Sequence, residues 1–337
     1  MMWAQIQSDD FNIKAIKRYL ESNNYEQTDG YSELKDFLTS LLSIFVVDES
    51  GISLLEYLQR DWKVFTNPIR GEQIIDDFIS SSAEHYNKKQ IFNSNTKVVY
   101  NKEILSCVVL WEELKEKIKN SHRFTTDLST LKSAGWEELF FDNTFLTPEM
   151  RFFRARIHYK KTDAFGVNDM GAREKGDCPA GRANPEGIPY LYLCEDFLTT
   201  LYETRVTFHD EVSIGEFRLK EKAPIHIVDL SGINITEIDV LDADVGSLAK
   251  RMLLIAAVSR DMSKPMRRQD SVVEYVPTQF ICEYLQKTYS VKGIRFSSSV
   301  FPEGKNIVIF QPDLMICTNV SKYHIKGLSI DQECIGQ

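Results

Sequence analysis

Residues 180–205, AGRANPEGIPYLYLCEDFLTTLYETR, decide how this chain is read. The opening AGRANPEG sets one arginine, Arg182, among small residues and a proline, which predicts a tight turn whose backbone can approach a ligand closely. The apolar run IPYLYLC, 188–194, predicts a buried strand. Asp196 then suits a helix N-cap, and the helix it opens places Phe197, Thr200, Leu201 and Thr204 on one face and Glu203 on a neighbouring one.

Upstream, RFFRARIH (151–158) alternates bulky and basic residues with period two, so a strand would point Arg154 and Arg156 the same way. The glycine-rich stretch 160–187 between them and the strand is low in apolar residues, as a functional loop would be. Downstream, IHIVDL (225–230) predicts a strand and GSLAKRMLLIAAVSRDM (246–262) a long helix. Pro277 opens another helix, and GIRFSSS and NIVIF are strands joined by a turn containing Gly304. More short strands are expected towards Ile330.

Residues 9 to about 120 read differently. Leu34, Leu38, Leu41, Leu42 and Phe45 form an apolar stripe at helical spacing, as do Leu55, Leu58 and Trp62, then Ile74, Ile75 and Phe78, then Trp111, Leu114 and Ile118. Breaks are expected at Asp29-Gly30, Asp48 to Gly51 and Asn67-Pro68. The change of pattern places a domain boundary near residue 145, giving an all-α helical bundle over 1–145 and an α+β domain over 146–337.

With 337 residues and a formal net charge of -9, the chain lacks the basic balance of a nucleic-acid binder, although Lys264, Arg267 and Arg268 form one local basic run. The six cysteines show no C-x-x-C pair and the six histidines no paired ligand spacing, so a reduced chain without a metal is expected. No membrane-length apolar segment occurs, and the first residues carry acids where a signal peptide needs positive charge, so a cytoplasmic location is expected. No Gly-x-Gly-x-x-Gly follows a strand and no glycine series ends in Lys-Ser/Thr, which removes the common hydride-transfer and NTPase readings.

Residue by residue, two explanations stand. Arg182 suits phosphate oxygens or a surface ion pair, and the Arg154/Arg156 face suits an anion or open water. Glu203 could stabilise an oxocarbenium-like transition state or be a solvated helical position. Tyr192 could stack on an aromatic base or be a satisfied core tyrosine, and Ser297 to Ser299 could bind substrate or form a turn.

In combination, FFRAR, G-R-x-N-P-x-G-x-P-x-L-Y (181–192), TLYETR and GIRFSSS with NIVIF resemble the RES domain family, over roughly residues 150–330. The resemblance implies an ADP-ribosyltransferase-like mixed sheet and a toxin or antiviral defence effector that cleaves the nicotinamide-ribose bond of NAD+ as glycohydrolase or phosphorylase. A protein mono-ADP-ribosyltransferase and a nucleotide-sensing module without turnover are the alternatives. By position it implies Arg154, Glu203 and Ser298 as catalytic residues, with Ser297 and Ser299 as substitutes for Ser298, and Arg182, Tyr192, Asn184 and Arg156 as NAD+-binding residues. NAD+ is then a substrate and no cofactor is needed. An antitoxin or regulatory protein and a homo-oligomer are compatible partners. The N-terminal helices resemble the HEPN-like extension of some RES proteins, without its Arg-x4–6-His ribonuclease motif.

Overall fold

The computed structural model describes residues 6–22, 31–82, 93–140, 144–159, 163–264 and 272–327. Asp29, Gly30, Arg267, Arg268 and Ile330 lie outside the described residues. Two compact units divide the chain, one of Met1–Leu110 with Ile233–Leu254, the other of Trp111–Gly232 with Ile255–Gln337. The break expected near residue 145 therefore coincides with neither edge. Pattern along the chain cannot show that 233–254 joins the first unit, which it does through a buried cluster containing Ile235, Val240, Val245, Leu248 and Ala249.

In the first unit the helical stripes form α1 (Lys14–Ser22), α2 (Ser32–Ser43), α3 (Leu54–Arg60) and α4 (Pro68–Ser82). Their buried residues include Leu34, Leu38, Leu41 and Leu42 on α2 and Ile74, Ile75 and Phe78 on α4. The unit is not all helical, however. Strands β1 (Phe45–Ser53) and β2 (Lys97–Tyr100) pair antiparallel, and the expected break at Asp48 to Gly51 is an irregularity within β1, where the register passes from Val47 opposite Val98 to Ile52 opposite the same residue. The β-branched residues Val46, Val47 and Ile52 favour a pleated ladder with Val98 and Val99 over continuation of α2.

The second unit takes the later half of α5 (Lys102–Asn120), then α6 (Leu128–Ser133) and α7 (Trp136–Leu139). Its strands are β3 (Thr144–Leu146), β4 (Phe152–Ile157), β5 (Leu191–Cys194), β6 (Glu211–Leu219), β7 (Ile225–Asp229), β8 (Gly293–Ser297), β9 (Lys305–Ile309) and β10 (Met315–His324). Helix α8 (Phe197–Thr204) follows β5, and α9 (Val245–Ser263) and α10 (Val276–Tyr289) lie in sequence between β7 and β8. The strands form one mixed sheet in the order β10-β6-β4-β5-β9-β8-β7-β3, parallel only between β7 and β8. The fold is thus α+β. Met315–His324 is one long strand paired with β6, where several short ones are expected from the sequence.

One seam of this sheet is almost open. β4 exchanges six register pairs with β6 but a single pair, Phe153 opposite Cys194, with β5. On one side Phe152, Leu191, Leu193, Phe217, Ile307 and Ile309 form a buried cluster. In a second cluster Leu201 of α8 and Phe153 and Ala155 of β4 pack against Val212 and Ile214. The sheet is therefore anchored to both sides of the seam while the seam itself keeps a single ladder pair.

Ile309 is fully buried and sits opposite both Leu191 and Gly293. Ile309→Ala is expected to destabilise the unit by about 2–5 kcal/mol, read as a lowered urea midpoint with an unchanged slope.

Candidate functional site

The turn at 181–184 is built around the Tyr192 hydroxyl. That oxygen accepts from the Ala183 amide at 2.9 Å and donates to Asn184 Oδ1 at 2.7 Å. Asn184 Nδ2 in turn donates to the carbonyls of Pro179, Pro185 and Ile188 at 3.1, 3.0 and 3.0 Å. Helix α10 closes the outside: Thr278 Oγ1 donates to the Arg182 carbonyl at 2.6 Å, and Gln279 Nε2 to those of Gly181 and Asn184 at 2.8 and 3.0 Å. A Cβ on Gly181 would stand 2.6 Å from the Tyr192 hydroxyl, which is why the position is glycine.

Asn184 is consequently buried within the turn and is not a wall of the cavity described next. Its amide is engaged with loop carbonyls, and it holds the backbone that presents Arg182. Burial pushes the Tyr192 phenol well above its usual range, so it stays protonated and keeps both halves of its bridge.

A cavity of about 290 Å³ opens at the seam, with Arg154, Arg182, Tyr192, Glu203, Ser299 and Asn306 among its walls. Glu203 reaches it from α8, which Asp196 caps by accepting from the Thr199 amide at 2.8 Å and from the Thr199 hydroxyl. Glu203 Oε1 accepts from Ser298 Oγ at 2.7 Å and from Asn306 Nδ2 at 2.5 Å. The Ser298 oxygen itself accepts from the amides of Val300 and Phe301 at 3.2 and 3.1 Å, so its one proton is directed at the carboxylate. Among the described residues no hydrogen bond falls on Oε2, which leaves that oxygen available to a ligand.

The serine run is thereby resolved by contact. Ser298 holds Glu203, Ser299 lines the cavity, and Ser297 belongs to the strand, with its carbonyl accepting from Ser263 Oγ at 2.6 Å.

Arg154 and Arg156 lie two apart on β4 and converge on one acceptor. Arg154 Nη1 and Arg156 Nη2 donate to the Gly171 carbonyl at 2.9 and 2.8 Å. Burial above all, then repulsion by Arg156 and Arg173, pulls Arg154 down to about 10, and burial with Arg173 lowers Arg156. Arg182 is lowered by burial, against the opposing pull of Tyr275 and Glu203, and donates to the Met262 carbonyl. All three remain cationic near neutrality, and Arg154 and Arg182 have no carboxylate bonded to them among the described residues. Half-buried cations without a bonded counter-charge favour an anionic ligand. Arg156 belongs to the same arginine face but does not line the cavity.

The site therefore sets a carboxylate with one fixed and one free oxygen across from two guanidinium groups, with the Tyr192 ring between the turn and the cavity. Asn306, Thr278 and Gln279 were not legible as site residues. Asn306 left one trace, an asparagine among the apolar residues of a central strand, where that residue is depleted. Nothing in the sequence marks Thr278 or Gln279 beyond their place after Pro277. Among the described residues no group of His, Cys, Asp and Glu could hold a metal ion, and no helix is long and apolar enough to cross a membrane.

The model of the RES domain matches residues 151–325. No curated protein matches the chain. Solved structures similar to it include a chain of the M. tuberculosis MbcT-MbcA toxin-antitoxin complex, at 11% identity and a TM-score of 0.30, covering 52% of this chain and 84% of that one.

Gly181→Ala forces its new methyl against Tyr192 and Asn184, and is expected to destabilise by about 1–3 kcal/mol. The urea midpoint should fall, whereas Tyr192→Phe combined with Gly181→Ala should cost less than the sum of the two single changes, because the hydroxyl being struck is gone.

Proposed function

This chain belongs to the RES domain family through residues 151–325, and from that premise we propose that it is a toxin or defence effector that cleaves the nicotinamide-ribose bond of NAD+. The observation that carries the reading is the hold of Ser298 and Asn306 on one oxygen of Glu203 at a cavity also walled by Arg154 and Arg182. A carboxylate fixed in advance beside a sugar carbon stabilises the positive charge that develops there without reorganising during the reaction.

In this reaction the bond from ribose C1′ to the pyridinium nitrogen breaks and its electron pair leaves with nicotinamide, which becomes neutral. Glu203 Oε2 faces the developing oxocarbenium ion or orients the acceptor. Water attacking C1′ loses a proton and gives ADP-ribose; inorganic phosphate in the same place gives ADP-ribose 1″-phosphate. Arg154 and Arg182 hold the pyrophosphate, and Tyr192 packs beside the nicotinamide end. NAD+ is the substrate, and no other cofactor enters. Family membership also carries the proposal of a protein antitoxin as partner.

Purified protein incubated with NAD+ is expected to release nicotinamide. Glu203→Gln should lower kcat by about 10²–10³-fold. Asn306→Ala, which removes one of two donors to Oε1, should lower it by about tenfold. Label from NAD+ appearing on protein instead of as a free product would replace hydrolysis by mono-ADP-ribosylation. Folded wild type that binds NAD+ and leaves it intact would overturn catalysis in favour of a sensing module.

A further inference from the structure

The cavity at Glu203 has a volume of about 290 Å³, at the small end of the roughly 300–1,000 Å³ that ligand pockets span. It suits the nicotinamide riboside half of a dinucleotide and leaves the AMP half to be placed elsewhere. A second and larger cavity in the same unit, of about 520 Å³, is lined by Gly171, Arg173, Lys175 and Lys220 around an apolar floor that includes Phe217 and Met315. One carbonyl links their walls. The carbonyl oxygen of Gly171, in the wall of the larger cavity, accepts from Arg154, in the wall of the smaller one, and from Arg156 beside it.

Charge balance separates this cavity from its rival. A third hollow of about 220 Å³ also touches Arg182, but its lysines are already paired: Lys115 with Asp261 at 2.8 Å, Lys119 with Glu274 at 2.9 Å and Lys264 with Glu274 at 3.6 Å. Around the larger cavity the position is reversed. Arg173, Lys175 and Lys220 have no side-chain hydrogen bond or ion pair among the described residues, and Asp313 is the one carboxylate in the lining. Arg156 Nε is buried without a partner, and Arg173 is near enough to Arg154 and Arg156 to disfavour the charge of both. Three arginines gathered without an acid bonded to them are relieved by a polyvalent anion, and a phosphate ester on a flat apolar body matches cations set around an apolar floor.

We infer that the larger cavity takes the AMP half of the dinucleotide, with Arg173, Lys175 and Lys220 as its phosphate-side cations and the Phe217–Met315 floor under the adenine. The pyrophosphate then lies between the two halves, on Arg154 and Arg182 with Arg156 and Arg173 beside them. This inference rests on the NAD+ reading given above. It adds Arg173, Lys175 and Lys220 to the substrate contacts, the first two on the glycine-rich stretch ahead of the motif at 181–192 and the third just after β6.

Two measurements test it. In steady-state kinetics Arg173→Ser is expected to raise KM for NAD+ about tenfold with a smaller change in kcat, as loss of one charge-assisted contact to phosphate would. With nicotinamide mononucleotide, which lacks the AMP half, the same substitution should change KM less than twofold. An equal rise for both substrates, or no rise for NAD+, overturns the inference. Calorimetry with AMP decides the site without turnover: wild type should bind AMP, and Arg173→Ser and Lys220→Ser should each bind it about tenfold more weakly. Equal affinities, or no binding by wild type, overturn it. Wild type that binds AMP in this way but cleaves no NAD+ leaves the cavity assigned and removes only the reaction.

Discussion

The geometry of the cavity depends first on the two hydrogen bonds on Glu203 Oε1. They require three elements distant in sequence to meet within hydrogen-bond reach: α8, the turn after β8, and the first residues of β9. Each is set by a separate device. Asp196 caps α8, the β8–β9 ladder places Phe296 opposite Asn306, and the amides of Val300 and Phe301 orient the Ser298 hydroxyl. The carboxylate, although on an exposed residue, is thereby held by groups that are themselves held.

The arginines show the opposite economy. Arg154 and Arg182 are half-buried without a bonded carboxylate, and Arg154 is pulled down to about 10 by desolvation and by its neighbours. A protein selected only for stability would pair such groups or remove them. Such groups favour an anionic ligand, and the nearly unpaired β4–β5 seam lies at the cavity they line. Opening the sheet there sacrifices ladder bonds that the β4–β6 and β5–β9 ladders on either side make up.

Legibility followed the range of the interactions. Helical stripes such as Leu34, Leu38, Leu41 and Leu42 are local periodicities, and they became α2. The strand carrying Arg154 and the cap at Asp196 were equally local. By contrast β1 and β2 are short, and each is stabilised by the other across some fifty residues, so VVDESGIS read as an interruption between helices. The surroundings of Asn184 were illegible for a related reason. Motif position linked it to the ligand, but its four-sided environment of loop carbonyls and the Tyr192 hydroxyl exists only once the turn has folded.

The sequence by itself determined the α+β class, the turn–strand–helix unit at 180–205 and the identity of the charged residues, because periodicity, capping and side-chain chemistry are properties of neighbours along the chain. Tertiary structure alone decided which serine meets Glu203, that Asn306 is the second donor, and that Arg154 and Arg156 share the Gly171 carbonyl with a second cavity behind it. Those facts depend on register between strands and on helices returning from far along the chain. A change of one residue in the β8–β9 register would carry Asn306 to the opposite face of the sheet, and no local pattern in NIVIF records which register is formed.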